Sequence, residues 1–254
     1  MSNPAIQKFS QLKSTSPRIT CLTAYDYSSA KLIEESGAID MILVGDSLGM
    51  MIQGHPDTTH VKLEHMVYHT QIVRRGAPNS FIVGDLPIHT YDTPQQTIDS
   101  AQQLINAGAD AVKLEGGVAV LPQLKALQTA NIPTVGHLGM LPQRAVIEGG
   151  YSIKGKTPQQ AEILIQDCQA LNELDLLAVV LECVTPTAAT QMHHVFKDSP
   201  TITIGIGSGD TCDGEISVWH DLMGAYPWFV PPFAQPKADL TTCIKQALLD
   251  YKNG

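Results

Sequence analysis

Four short apolar runs in this chain stop at an acid. Met41-Ile42-Leu43-Val44 leads through Gly45 to Asp46-Ser47, and Phe81-Ile82-Val83-Gly84 ends at Asp85. Ala111-Val112-Lys113-Leu114 ends at Glu115, and Ala178-Val179-Val180-Leu181 ends at Glu182. Runs of this kind read as strands buried on both faces. A lone Asp after a strand can simply cap the next helix. Glu is a poor cap, so four acids, two of them Glu, point to a shared site. In a parallel barrel the C-terminal ends of the strands converge on one face, where substrate binds.

The rest of the chain fits that reading. Residues 1–18 are polar and suggest an arm or a short helix. Ile19–Ala24 reads as the first strand. Asp26 caps a helix from Tyr27 to Ser36, and Gly37 ends it. Residues 48–61 lack periodicity and read as a long loop. Leu63, Met66, Val67, Thr70 and Val73 mark one face of a helix. Thr93-Pro94 opens another, with Ile98, Ala101, Leu104 and Ile105 as its buried stripe and Gly108 as its stop. Val118–Ala130 is a further helix, and Ile132–His137 a fifth strand. Residues 138–156 form a second long, glycine-rich loop. Thr157-Pro158 opens a helix with Ala161, Leu164, Ile165, Cys168 and Leu171 inward. A helix covers Pro186 to Phe196, Thr201–Gly207 is the seventh strand, and Ile216–Trp219 is a weak eighth. Pro227–Pro236 is irregular, and a last helix covers Leu240–Tyr251.

Seven clear strands and one weak one, alternating with helices over 254 residues, predict a single (β/α)8 barrel domain spanning 1–254. It would carry an N-terminal arm and a C-terminal helix. A doubly wound open sheet is the rival, but no Gly-x-Gly-x-x-Gly follows the first strand. Gly205-x-Gly207-x-Gly209 comes late, with the wrong spacing for a dinucleotide fingerprint, and reads as a tight turn or an anion site. A net charge of −9 argues against binding to nucleic acid or anionic membranes. There is no 18-residue apolar run and no leader pattern, so a cytoplasmic protein is expected. Five widely spaced cysteines without a Cys-x-x-Cys pair read as free thiols.

Asp46, Asp85 and Glu115 offer only oxygen ligands, which suit Mg²⁺ or another hard divalent ion better than zinc. Lys113 lies two residues before Glu115, on the same side of its strand. Pointing inward, it must pair with the acids or with an anionic substrate; pointing outward, it is a solvated strand-end lysine. His137 ends the fifth strand as a hydrogen-bond donor to substrate or as a satisfied core histidine. The other histidines lack metal spacing. A cation, a lysine and a histidine around one pocket favour a small carboxylate such as a 2-oxo acid, and Lewis-acid polarisation makes its enolate accessible. Glu182 could then be the base.

Longer motifs carry a resemblance. They are Thr23-Ala24-Tyr25-Asp26, Val44–Met50, Arg74-Arg75-Gly76-Ala77-Pro78, Val112–Gly117, Gly136–Gly139 with Pro142-Gln143, Gly149-Gly150-Tyr151, Leu181–Val184 and Gly205-Ile206-Gly207. In one register from residue 19 to 222, they resemble the 3-methyl-2-oxobutanoate (ketopantoate) hydroxymethyltransferase family of pantothenate biosynthesis. The resemblance implies a (β/α)8 TIM barrel of the phosphoenolpyruvate/pyruvate-binding type. It implies transfer of a one-carbon unit from 5,10-methylenetetrahydrofolate to 3-methyl-2-oxobutanoate, giving 2-dehydropantoate and tetrahydrofolate. It implies Mg²⁺ at Asp46, Asp85 and Glu115. It also implies keto-acid contacts from Asp46, Ser47, Asp85 and Lys113 with His137 nearby, Glu182 as proton acceptor, and a homodecamer of two stacked pentamers. Departures gather late in the chain: Ser208 replaces the usual Ala, Pro231–Pro236 replaces a commonly basic stretch, and the C-terminus comes early. Other readings of the same residues are a metal-dependent lyase of the same barrel group, a Schiff-base aldolase using Lys113, and a binding barrel without turnover.

Overall fold

In the computed structural model, which describes residues 4–226 and 230–254, eight parallel strands close into a barrel in chain order. They are β1 Ile19–Thr23, β2 Met41–Val44, β3 Ile82–Asp85, β4 Ala111–Lys113, β5 Thr134–Gly139, β6 Ala178–Glu182, β7 Ile202–Ile206 and β8 Gly214–Ser217. The helices are α1 Pro4–Thr15, α2 Tyr27–Ser36, α3 Leu48–Met51, α4 Leu63–Gly76, α5 Pro94–Ala107, α6 Leu121–Thr129, α7 Pro158–Asn172, α8 Pro186–Val195, α9 Trp219–Met223 and α10 Leu240–Asn253. The (β/α)8 expectation is met. None of the described helices is long and apolar enough to cross a membrane, and all five cysteines are free.

The chain forms two units, residues through Ile216 and Ser217–Gly254. In the first, every second strand residue points into the barrel. Cys21, Leu43, Val83, Ala111, Val135, Val180 and Ile204 form one buried cluster with Ile6 and Phe9 of α1. The polar arm is therefore a helix with an apolar face. Phe9 is completely buried and meets Phe81 edge-on, with ring centroids 4.9 Å apart. Lys13 fixes the other end of α1 by donating to the carbonyls of Phe196, Ser199 and Thr201 at 2.7, 3.1 and 3.0 Å. In the second unit, α9 ends at Gly224 in the left-handed region, and Thr241 Oγ1 donates to the carbonyls of Gly224 and Tyr226.

Local sequence explains most boundaries. Asp26, Thr93, Thr157 and Thr185 each accept a backbone N–H as helix caps, and Gly37 (φ 63°) closes α2. The Arg74 motif is structural: its guanidinium donates to the carbonyls of Gly108, Ala77, Pro78 and Ser80 and pairs with Asp110, joining α4 to the loop before β4.

Several expectations need adjustment. Residues 48–61 are not a plain loop, since they contain α3 and a 3-10 turn at Thr58–His60. Residues 118–130 begin as a 3-10 turn, Val118–Val120, before α6. The eighth strand lies at Gly214–Ser217, not Ile216–Trp219, because Trp219 already opens α9. In α5 the buried face is turned toward Thr97 and Ser100, whose hydroxyls are satisfied by the carbonyls of Thr93 and Thr90; Ile98 and Ile105 are only half-buried. Residues 230–239 are irregular as expected, and 227–229 lie outside the described residues.

Phe9→Ala should open a cavity beneath the barrel and cost about 3–5 kcal/mol in denaturant unfolding. Activity per folded molecule should persist, because the opposite end of the barrel is untouched. A loss below about 1 kcal/mol would show that α1 does not seal the core.

Candidate active site

The alternation that fills the barrel also aims the site. Two residues beyond the inward-facing Val83, Ala111, Val135 and Val180 stand Asp85, Lys113, His137 and Glu182, on the same side of their strands. One further step of two from Lys113 gives Glu115. Asp46 follows the turn at Gly45, and its N–H faces Asp85 Oδ2 at 3.4 Å. Asp46, Asp85, Lys113, Glu115 and His137 are all buried. Glu182 is the most open, its side chain 14% exposed. Ser47 is half-buried beside them, its hydroxyl 2.7 Å from that of Tyr25. The structure thus brings together every residue singled out in the sequence.

Lys113 points inward, with Nζ 2.8 Å from Asp85 Oδ2 and 3.4 Å from His137 Nδ1. His137 bridges two acids, Nδ1 lying 3.4 Å from Glu115 Oε1 and Nε2 3.1 Å from Glu182 Oε2. Gly139 lets β5 pass close to Glu182. Its φ is +97°, and an added Cβ would lie 2.3 Å from the Glu182 carbonyl oxygen. On the far side, Ser208 Oγ donates to the carbonyls of Leu181 and Ile206 at 2.7 and 3.2 Å and accepts from Val184 N–H. The serine that departs from the family pattern therefore brackets the turn carrying Glu182.

Gln143, buried, and Tyr91, half-buried, have roles that spacing did not reveal. Gln143, in a 3-10 turn after β5, donates through Nε2 to Asp46 Oδ2 at 2.8 Å and to the Leu86 carbonyl at 2.9 Å. Its backbone N–H donates to Glu115 Oε2 at 3.1 Å. The Tyr91 hydroxyl donates to Gln143 Oε1 at 2.5 Å. The only sequence signal was Pro142-Gln143 inside a shared motif.

Charge is out of balance here. Burial raises the Asp46 pKa well above the carboxylate range, and repulsion from Asp85 and Glu115 raises it further. Burial also raises Asp85, against the pull of Lys113. Burial lowers Lys113, but Asp85, Glu115 and Asp46 outweigh it and hold the ammonium protonated. Burial and Lys113 lower His137, while Glu115 and Glu182 raise it to a net value of about 9. Four carboxylates thus face two cations. A protonated Lys113 is a poor nucleophile, which speaks against the Schiff-base reading.

A divalent ion fits the surplus of negative charge. Each of the three candidate ligands has one oxygen tied by hydrogen bonds: Asp46 Oδ2 and Glu115 Oε2 by Gln143, and Asp85 Oδ2 by Lys113. Asp85 Oδ1 is buried and accepts no hydrogen bond, and buried Glu115 Oε1 has only His137 Nδ1, at 3.4 Å. Orphaned buried carboxylate oxygens are costly unless something occupies them. Among the described residues no three such side chains already converge to enclose an ion by themselves.

The family model described as ketopantoate hydroxymethyltransferase matches residues 4–254. A 3-methyl-2-oxobutanoate hydroxymethyltransferase of Clostridium botulinum (strain Alaska E43 / Type E3) is 42% identical over 248 residues, 97% of this chain and 89% of the relative. One from Chloroflexus aggregans is 44% identical over 247 residues, covering 97% and 87%. Among solved structures, the phosphoenolpyruvate phosphomutase of Streptomyces platensis subsp. rosaceus aligns with a TM-score of 0.66 at 11% identity, covering 98% of this chain and 86% of its own. A 2,3-dimethylmalate lyase of the PEP mutase/isocitrate lyase superfamily aligns at 0.62 and 14% identity, covering 98% and 88%. These two likenesses show the (β/α)8 barrel fold expected from the sequence.

The electrostatics predict an alkaline weakness. His137 has an ordinary pKa of 6.5 in the unfolded chain and about 9 in the fold. Its contribution to stability is complete below pH 6.5 and is lost as pH rises through 9. In EDTA, the melting temperature of the wild type should fall across that window more steeply than that of His137→Asn. Equal slopes would mean that His137 is uncharged in the fold.

Proposed function

This chain belongs to the ketopantoate hydroxymethyltransferase family, and from that premise we propose that it transfers a one-carbon unit from 5,10-methylenetetrahydrofolate to 3-methyl-2-oxobutanoate. The products are 2-dehydropantoate and tetrahydrofolate, with water supplying the new hydroxyl. The observation that carries this reading is the buried cluster at the strand ends. It combines three buried acids, one of them with an unpartnered oxygen, two cations, and a fourth, more open acid at its edge.

Asp46, Asp85 and Glu115 would hold Mg²⁺, which when bound supplies Lewis-acid polarisation of the keto oxygen and so acidifies the neighbouring C3–H. One solved barrel of this fold, a phosphonopyruvate hydrolase at 13% identity and a TM-score of 0.61, is described in complex with oxalate and Mg²⁺. Oxalate is a small dioxygen chelator like the carboxylate-keto pair of a 2-oxo acid. In this chain Lys113 and His137 present positive charge to the substrate carboxylate. Ser47, braced by Tyr25, offers a hydroxyl at the rim. Glu182 takes the C3 proton; both carbon–nitrogen bonds of the folate methylene break, one replaced by the new bond to C3 and the other by the bond to the water oxygen, and the C3 proton and one water proton end on the two freed nitrogens. His137 Nε2, 3.1 Å from Glu182 Oε2, orients that carboxylate until substrate arrives. Folate needs more room than the acid cluster. A groove of about 550 Å³ is lined by Lys156, Thr157, Thr185 and Gln191, and by none of the residues of the acid cluster.

We assign the homo-oligomer, a decamer by family resemblance, and a cytoplasmic location on the same basis.

Glu182→Gln separates base from binding, since it keeps size and hydrogen bonding but not basicity. With Mg²⁺ and keto acid but no folate, the wild type should exchange the C3 proton for solvent deuterium, followed by NMR. The variant should exchange about 10²–10⁴-fold more slowly, with keto-acid affinity little changed. Exchange at the wild-type rate would assign the base to another residue.

A further inference from the structure

We propose that Gln143 is the positioning residue of the metal site, and that Tyr91 fixes which way its amide faces. Gln143 is 1% exposed, and every polar atom of its side chain is used. One Nε2 hydrogen goes to Asp46 Oδ2 and the other to the Leu86 carbonyl, while Oε1 accepts from the Tyr91 hydroxyl. Turning the amide over would set Oε1 against a carboxylate and a carbonyl, and would set the NH₂ against a phenolic hydrogen. Only one orientation therefore satisfies all three partners.

That orientation decides which oxygens remain available. Gln143 takes Asp46 Oδ2 by its side chain and Glu115 Oε2 by its backbone N–H, so Asp46 Oδ1 and Glu115 Oε1 are the oxygens it leaves, the second lying 3.4 Å from His137 Nδ1. One residue thereby sets the angles of two acids from different strands. It does so across the loops after β2, β3, β4 and β5, which carry Asp46, Leu86 with Tyr91, Glu115 and Gln143 itself. Partners of this kind orient metal ligands, and their loss characteristically weakens metal binding 10–100-fold. Gln143 touches neither substrate nor reacting atoms in this arrangement; it acts through Asp46 and Glu115.

The inference rests on the Mg²⁺ reading above, and calorimetry without keto acid or folate tests the two separately. Gln143→Met keeps length and packing but removes the amide. It should weaken Mg²⁺ binding about 10–100-fold. Tyr91→Phe keeps the Nε2 contacts but leaves Oε1 without its donor, which loosens the amide, and should weaken binding about ten-fold, the lower end of that range. In turnover, the Mg²⁺ concentration giving half-maximal rate should rise by the same factors, with kcat recovered at saturating Mg²⁺. A merely structural loss would instead lower kcat at every Mg²⁺ concentration. Wild-type Mg²⁺ affinity in Gln143→Met, or in Tyr91→Phe should the first variant not fold, would overturn the inference. Absence of Mg²⁺ binding by the wild type itself would overturn the function reading instead.

Discussion

Four carboxylates packed around one lysine and one histidine, inside an apolar barrel, impose the constraint on which this structure depends. Ionised groups removed from water must be paired or lose their charge. Lys113 answers Asp85, and His137 answers Glu115 and Glu182. Asp46 has an amide N–H from Gln143, but burial and repulsion from Asp85 and Glu115 raise its pKa against the pull of Lys113. A divalent ion would answer the remaining charge.

The fold supplies that constraint by simple geometry. A period of two places Val83, Ala111, Val135 and Val180 in the core and Asp85, Lys113, His137 and Glu182 at its upper edge. The opposite end is closed by Phe9 and Ile6 of α1. Stability and chemistry therefore occupy opposite ends of the same strands, the usual division of labour in such barrels. The loops after the strands then refine the edge. Gln143 ties two acids, Tyr91 ties Gln143, and Ser208 braces the turn of Glu182.

Much of this was legible before any coordinates. Asp26 and Gly37 bound α2, Thr-Pro pairs open α5 and α7, and the strand-end acids are plain in the sequence because they interrupt apolar runs. What stayed hidden depends on long-range partners. Glu215 disguises β8 as a polar stretch, yet its side chain is exposed and pairs with Arg18. Thr97 and Ser100 face inward in α5 because nearby carbonyls satisfy their hydroxyls. The compact turn at residues 48–61 has no period to read; Gly49 packs there so closely that a Cβ would meet Val61 at 2.7 Å. Gln143 reaches Asp46 across 97 positions of sequence, a separation at which spacing carries no information.

The central claim, that buried negative charge is held in readiness for a divalent ion, is tested most directly by thermal melting of the wild type and Asp46→Asn as Mg²⁺ is titrated in. A ligand that binds only the folded state stabilises it in proportion to the logarithm of its concentration above Kd. The wild type should melt at steadily higher temperature as Mg²⁺ rises. Asp46→Asn keeps an acceptor for Gln143 but removes one repelling charge. It should melt above the wild type in EDTA and respond little to Mg²⁺. A wild type indifferent to Mg²⁺, or an Asp46→Asn variant that follows it degree for degree, would contradict the account.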